Sequence, residues 1–170
     1  ALKGTVRITS TDTLCALILP RLTRAIKADS QDLNMTLLSS NTHLDLVREQ
    51  AHIIVRPSLK IAEDLVGVAA CEIGFAAYAA ETSGNRWLGL SGPLSRSVAG
   101  KWIAENIDAD ALAMASDSFL TLAALASLGA GVALLPCFVG DAHPGLVRLR
   151  TRAPHLRSPL WVAHHVDTVQ

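Results

Sequence analysis

Apolar and polar positions alternate through GTVRITS, with Val6 and Ile8 on one side, and the run then gives way to Ser10, Thr11 and Asp12. A period of two predicts a strand, and the small polar side chains that follow are acceptors for the exposed N–H groups of a starting helix. In TLCALILPRLTRAIKA, Leu14, Ile18, Leu22 and Ile26 recur every four residues while Arg21, Arg24 and Lys27 fall elsewhere on the wheel, which predicts an amphipathic helix. Pro20 kinks or restarts it, since proline lacks the N–H and crowds the preceding turn. The same grammar recurs. LNMTLL predicts a strand, with Ser39, Ser40 and Asn41 opening a short helix through Leu44 and Val47, and HIIVRPS predicts a third, short, buried strand. LVGVAAC and IGFAAYAA are two apolar strand candidates, RWLGL is a weaker one, and SRSVAGKWIAENI has helical spacing in Val98, Trp102 and Ile103. ALAMAS, then Ser116, Asp117 and Ser118, then FLTLAALASL again read as strand, cap and helix. GLVRL and PLWVAHH are two short closing strands separated by a basic loop, RTRAPHLRS.

The stretch LASLGAGVALLP holds Gly129 and Gly131 beside an apolar run, a spacing shared with dinucleotide-binding loops. Such a loop needs its glycines after a strand and ahead of a helix, so that phosphate meets free N–H groups at the helix start. Here the order is reversed: a helix ends at Gly129, which suits a left-handed C-terminal cap, and VALLP leaves as a strand.

Alternating strands and helices predict an α/β fold with a mostly parallel sheet. Composition agrees, because 50% of the 170 residues are hydrophobic and only 4% aromatic, so the core is built from Ala, Val, Leu and Ile. Phe119 to Gly140 carries no charge, but Gly129, Gly131 and Pro136 divide it into pieces too short to span a bilayer. Fifteen basic and fifteen acidic residues cancel, which removes the electrostatic footprint of a chain that itself grips nucleic acid. Cys15, Cys71 and Cys137 lie far apart in apolar surroundings, as buried free thiols do, and no basic-then-apolar export segment is visible after Ala1. Both features predict a reducing, cytoplasmic setting.

Candidate chemistry concentrates where predicted strands end and helices begin: Ser10 and Thr11, Ser39, Ser40 and Asn41, and Ser116, Asp117 and Ser118. In open parallel sheets ligands bind beyond the carboxyl ends of strands, where helix N-termini offer donors and partial positive charge. Each group also suffices to cap its own helix. Arg56 directly follows a predicted strand and precedes Pro57, which sets its guanidinium at the same edge, fit for a ligand carboxylate or for an ordinary surface ion pair. Metal binding is not expected: His164 and His165 are neighbours on a strand and face opposite ways, and His43, His52, His143 and His155 have no ligand spacing. Ser91 in GLSGP lacks the nucleophile-elbow pattern, so no catalytic residue is expected.

Taken together, GTVRIT, LPRLTRAI, DLVREQAHIIVRP, SLGAGVALLP, GLVRL and PLWVAHH give the chain its likeness: over nearly its whole length it resembles the effector-binding domain of LysR-type bacterial transcriptional regulators. The resemblance implies a two-lobed fold like type 2 periplasmic binding proteins, with residues 1–70 and 145–170 in one lobe, 71–144 in the other, and a small effector in the cleft. The effector residues it implies are Ser10, Thr11, Ser39, Ser40, Asn41, Arg56, Pro57, Ser116, Asp117 and Ser118. It implies no cofactor and no metal. It also implies a homodimer or higher homo-oligomer that sets residues 12–28 of one subunit against 117–129 of another, and DNA contact only through a winged helix-turn-helix N-terminal to this region, which these residues do not include. Where the family commonly has Gly and Asp before the third strand, this chain has Gln50 and His52.

The expected function is therefore effector sensing within a transcription regulator, without bond making, and a small carboxylate is the expected effector. Two alternatives stay open at this point. A solute-binding protein of a transport system shares the architecture but needs export, and an enzyme on a similar two-lobe fold needs turnover that depends on Ser10 or Ser116.

Overall fold

A computed structural model describes residues 2–41 and 51–168. In chain order its elements are β1 (Gly4–Ser10), α1 (Asp12–Leu17), α2 (Leu19–Asp29), β2 (Leu33–Ser39), β3 (Ile53–Pro57), β4 (Leu65–Ala79), β5 (Trp87–Leu90), α3 (Val98–Asn106), β6 (Leu112–Ser116), α4 (Phe119–Ser127), β7 (Ala133–Pro136), α5 (Cys137–Gly140), β8 (Val147–Arg148) and β9 (Leu156–His165). The helix predicted through Leu44 and Val47 lies outside the described residues. Two compact units divide the chain, Ala1–Cys71 with Pro159–Gln170, and Glu72–Ser158.

In the first unit β1 runs parallel to β2 on one side and to β3 on the other, and β9 closes on β3 antiparallel. Ser10 stands in register with Ser39 and with Val55, so the parallel strands bring their carboxyl ends to one edge. The single helix predicted across Pro20 is two helices. Ile18 ends α1 and begins α2, and Pro20 occupies the first turn of α2, where its missing N–H costs nothing.

The second unit holds the larger apolar core. Phe75 to Ala79 of β4, Leu88 of β5, Leu122 and Ala126 of α4 and Leu134 and Leu135 of β7 are buried together. β7 and β8 pair antiparallel with β4, while β5 and β6 form a separate parallel pair. At the end of α4, Gly129 has φ +86°, its N–H donates to Ala126 O, and Ala130 N–H donates to Leu125 O. These two bonds form a Schellman cap, so the glycine closes the helix as its order in the sequence requires. Gly140 has a different reason to be glycine, since a Cβ there would collide with the ring of Tyr78.

Three sequence expectations need correction. LVGVAAC and IGFAAYAA are one strand of 15 residues, because the lone Glu72 between them is no turn former and reaches outward to Arg157 at 3.5 Å. β9 begins at Leu156, inside the expected basic loop, and carries Pro159 within it. Cys71 is exposed rather than buried, for it lies in the half of β4 that also exposes Val66 and Val68; Cys15 and Cys137 are half-buried. Among the described residues no helix is long and apolar enough to cross a membrane.

Candidate functional site

The edge of the first unit is built from the ends of its parallel strands. Ser10 is fully buried and its hydroxyl donates to Val55 O at 2.6 Å, which ties β1 to β3 at the last residue of the strand. Thr11 caps α1: its Oγ1 accepts from Leu14 N–H at 3.4 Å and lies 3.2 Å from Thr13 Oγ1. Ser40 N–H donates to Ser10 O, and Asn41 Oδ1 accepts from Asp12 N–H at 3.3 Å, so the segment after β2 is fastened to the start of α1. Ser39 remains exposed, and Ser40, Asn41 and Pro57 are half-buried at the same edge.

Arg56 is the charge of this edge, and it lies below the surface at 5% exposure. Its positive charge reaches Cys15, a residue that the sequence did not mark as part of the site. Burial pushes the Cys15 thiol up, outweighing the hydrogen bond with Ser39 and the attraction of Arg56; the Asp12 carboxylate adds to the rise. Cys15 Sγ also donates to Leu38 O at 3.7 Å. Thr13, buried behind the cap, is the second residue missed. For Cys15 the available signal was helical phase, since it stands one turn beyond the capping Thr11; Thr13, two residues on, gave no such signal.

His52, standing where the family commonly has aspartate, is bonded to β1 on both sides: Arg7 N–H donates to His52 Nδ1 at 2.9 Å, and His52 N–H donates to Arg7 O. The imidazole nitrogen serves here as an acceptor, a task a carboxylate performs equally well. Gln50 lies outside the described residues.

Ser116, Asp117 and Ser118 belong to the second unit and make an edge of their own. Ser118 caps α4 by accepting from Thr121 N–H at 3.4 Å, and its own N–H donates to Ser116 Oγ at 3.2 Å. Ser91, at the end of β5, donates its N–H to Ser116 O, and Gly92 lies against Asp117. Sequence reasoning weighed Ser91 only as a nucleophile and passed over it as a neighbour of this cap. Among the described residues no cluster of three or more His, Cys, Asp or Glu is fit to hold a metal.

Parallel strands ending in capped helices, a buried arginine at one such edge and hydroxyls at both define a two-unit α/β ligand-binding domain. The sequence matches the LysR substrate binding domain over residues 1–170, and the chain belongs to that family. Solved structures agree on the fold. The regulatory domain of CrgA, a LysR-type transcriptional regulator from Neisseria meningitidis, aligns with a TM-score of 0.79 at 18% identity, covering 98% of this chain and 91% of that one. The effector domain of the transcriptional regulator AmpR from Pseudomonas aeruginosa gives 0.78 at 15% identity, covering 99% and 88%. The effector binding domain of QuiR in complex with shikimate gives 0.79 at 14% identity, covering 99% and 90%. No curated protein sequence matches the chain.

Proposed function

We propose that the chain is the sensing part of a cytoplasmic transcription regulator, and that in the first unit it binds a small carboxylate through the edge formed by Ser10, Thr11, Ser39, Ser40, Asn41, Arg56 and Pro57; in the second unit, taken by itself, Ser116, Asp117 and Ser118 are the proposed effector-binding residues. The observation that carries this reading is Arg56: a guanidinium at 5% exposure, at the carboxyl end of β3, beside hydroxyl and amide groups from two further strand ends. A planar guanidinium matches the two oxygens of a carboxylate, and burial strengthens the pair by excluding water. Shikimate, the compound held by the similar QuiR domain, is itself a carboxylic acid. The Ser10 hydroxyl is held by Val55 O and the Thr11 hydroxyl by its helix, so their part is to fix the edge, and Ser39, exposed though it also bonds the Cys15 thiol, is the hydroxyl that meets the ligand. Binding changes no bond; it shifts the balance between arrangements of the regulator and so its grip on DNA through a separate winged helix-turn-helix.

Self-association belongs to the same proposal. α2 exposes Leu22, and beside it lies an open groove of about 420 Å³ lined by Pro20, Thr23, Arg24, Lys27, Met35 and Leu37, along β2, the edge strand of its sheet. α4 ends in Leu128 at 85% exposure, and neighbouring β6 exposes Met114. Exposed apolar surface on residues 12–28 and 117–129 supports a homodimer joining these two faces.

Thermal-shift measurements with shikimate and other small carboxylates against neutral analogues of matched shape test the effector reading. Carboxylates stabilise the native chain and fail to stabilise Arg56→Met; stabilisation by the neutral analogues alone would falsify it.

A further inference from the structure

The cancellation of charge over the whole chain hides a local excess. Between Asp141 and Asp167 there is no acidic residue, and the interval holds Arg148, Arg150, Arg152 and Arg157 together with four of the six histidines. The fold collects much of this interval along one strand. Glu72, Gly74 and Tyr78 alternate onto one face of β4, and at ~3.3 Å per residue the distance from Glu72 to Tyr78 is roughly 20 Å. At one end Arg157 lies 3.5 Å from Glu72. Near the middle the exposed His155 ring lies 2.9 Å from where a Cβ on Gly74 would stand. At the other end the Arg148 guanidinium sits 5.7 Å from the Tyr78 ring centre and 2.6 Å from Asp141, whose carboxylate also feels the exposed Arg150. Arg152 lies 5.9 Å from the centre of the Trp87 ring and bonds Asn85 at 3.3 Å. Guanidiniums resting on aromatic faces have already given up much of their rotamer freedom, so a partner meets a prepared surface.

We propose that this basic strip of the second unit is a docking surface for a carboxylate-rich segment of another protein. The charge pattern selects that partner over a nucleic acid. Asp141 and Glu72 stand within the strip, and a duplex carrying one charge per ~1.7 Å would press phosphates against both, whereas a peptide spaces its carboxylates to meet the arginines and miss the acids. A neutral chain also supplies no long-range field to hold a polyanion, leaving recognition to short-range forked pairs.

The test is fluorescence anisotropy at physiological salt with a labelled peptide of alternating Glu and Ala and, separately, a labelled blunt DNA duplex. The peptide binds the native chain, and Arg150→Glu with Arg152→Glu weakens it at least ~10-fold, as loss of paired interfacial charges does. Lys60→Glu with Lys101→Glu, the same change in net charge at exposed positions outside residues 141–157, leaves binding within about twofold. Arg150→Gln with Arg157→Gln spares both aromatic contacts and weakens binding in the same direction, which keeps the result independent of any disturbance at Trp87. Failure of the peptide to bind the native chain, equal loss in the strip and control variants, or duplex binding as tight as peptide binding overturns the proposal.

Discussion

The two units bury different chemistry. The second gathers Phe75, Leu88, Leu122, Leu134 and Leu135 into one apolar cluster, whereas the first places Thr9, Ser10, Thr13 and Arg56 below the surface. Burying polar groups is costly unless each finds a partner, so a unit that does so repeatedly near one strand edge is shaped by something other than stability. The contrast separates frame from instrument: the second unit spends its interior on packing, and the first keeps hydrogen-bonding groups at the edge where its strands end.

The largest effect that sharpens this contrast is expected from Leu122→Ala, which empties a fully buried site and costs ~2–5 kcal/mol in urea denaturation. Affinity for a carboxylate effector, measured on the molecules that remain folded, changes little. Arg56→Met reverses the pattern: calorimetry shows carboxylate affinity falling by ~1.5–3 kcal/mol, the worth of hydrogen bonds to a charged group, with stability less affected than in Leu122→Ala. If both substitutions moved stability and affinity together, the division between frame and instrument would collapse. Ser10→Ala removes the bond to Val55 O inside the first unit, and a loss of ~1–2 kcal/mol is expected because that carbonyl is left buried.

A smaller effect separates the units by pH. Asp141 feels desolvation, which raises its carboxyl, but bonds from Tyr78 and Arg148 overcome it and hold the carboxyl below the usual carboxylate range. The native state therefore binds fewer protons than the unfolded chain in acid; this stabilisation is present above the ordinary carboxyl value and lost as the pH falls through the folded one. Burial first, and then the bonds with Asp141 and Cys137, push the Tyr78 phenol up, so its contribution is present at neutral pH and lost as the pH climbs past the ordinary phenol value. Tm profiles of the native chain and Asp141→Asn converge at low pH and separate near neutrality; parallel profiles would show that this cluster does not couple to folding. The smallest expected effect is kinetic. Exposed Cys71 reacts with iodoacetamide before half-buried Cys15, whose raised thiol holds less thiolate, and mass spectrometry of the adducts gives the order.

Much of this organisation was legible in the residues themselves. Caps carried two helix starts, since Thr11 and Ser118 each accept from an N–H three residues on, and Gly129 marked the end of α4 by its order relative to the strand; the cap at Ser97 was not read in advance. Continuity was harder to read. Nothing local distinguishes two apolar strands from one that passes a single outward glutamate, so β4 needed its partner strands to define it. Burial of Arg56 was likewise invisible, because a strand-end arginine is written the same way whether the neighbouring backbone covers it or leaves it in water. Cys15 and Thr13 were missed for a related reason: in a sequence they belong to a helix, and only the parallel register of β1, β2 and β3 turns that helix start toward the strand ends.

Because the second unit is inserted between two parts of the first, the molecule also carries a timetable. β3 is made before the second unit, but the strand that pairs with it, β9, is completed only after that unit. About a hundred residues separate the two, which at 5–20 residues per second amounts to roughly 5–20 s of translation. During that interval β3 waits with one edge unpaired while every strand and helix lying wholly within the second unit leaves the ribosome. Of the two, the unit that keeps the polar edge is thus the one completed second, and the arrival of β9, rather than collapse of the large apolar core, completes its sheet.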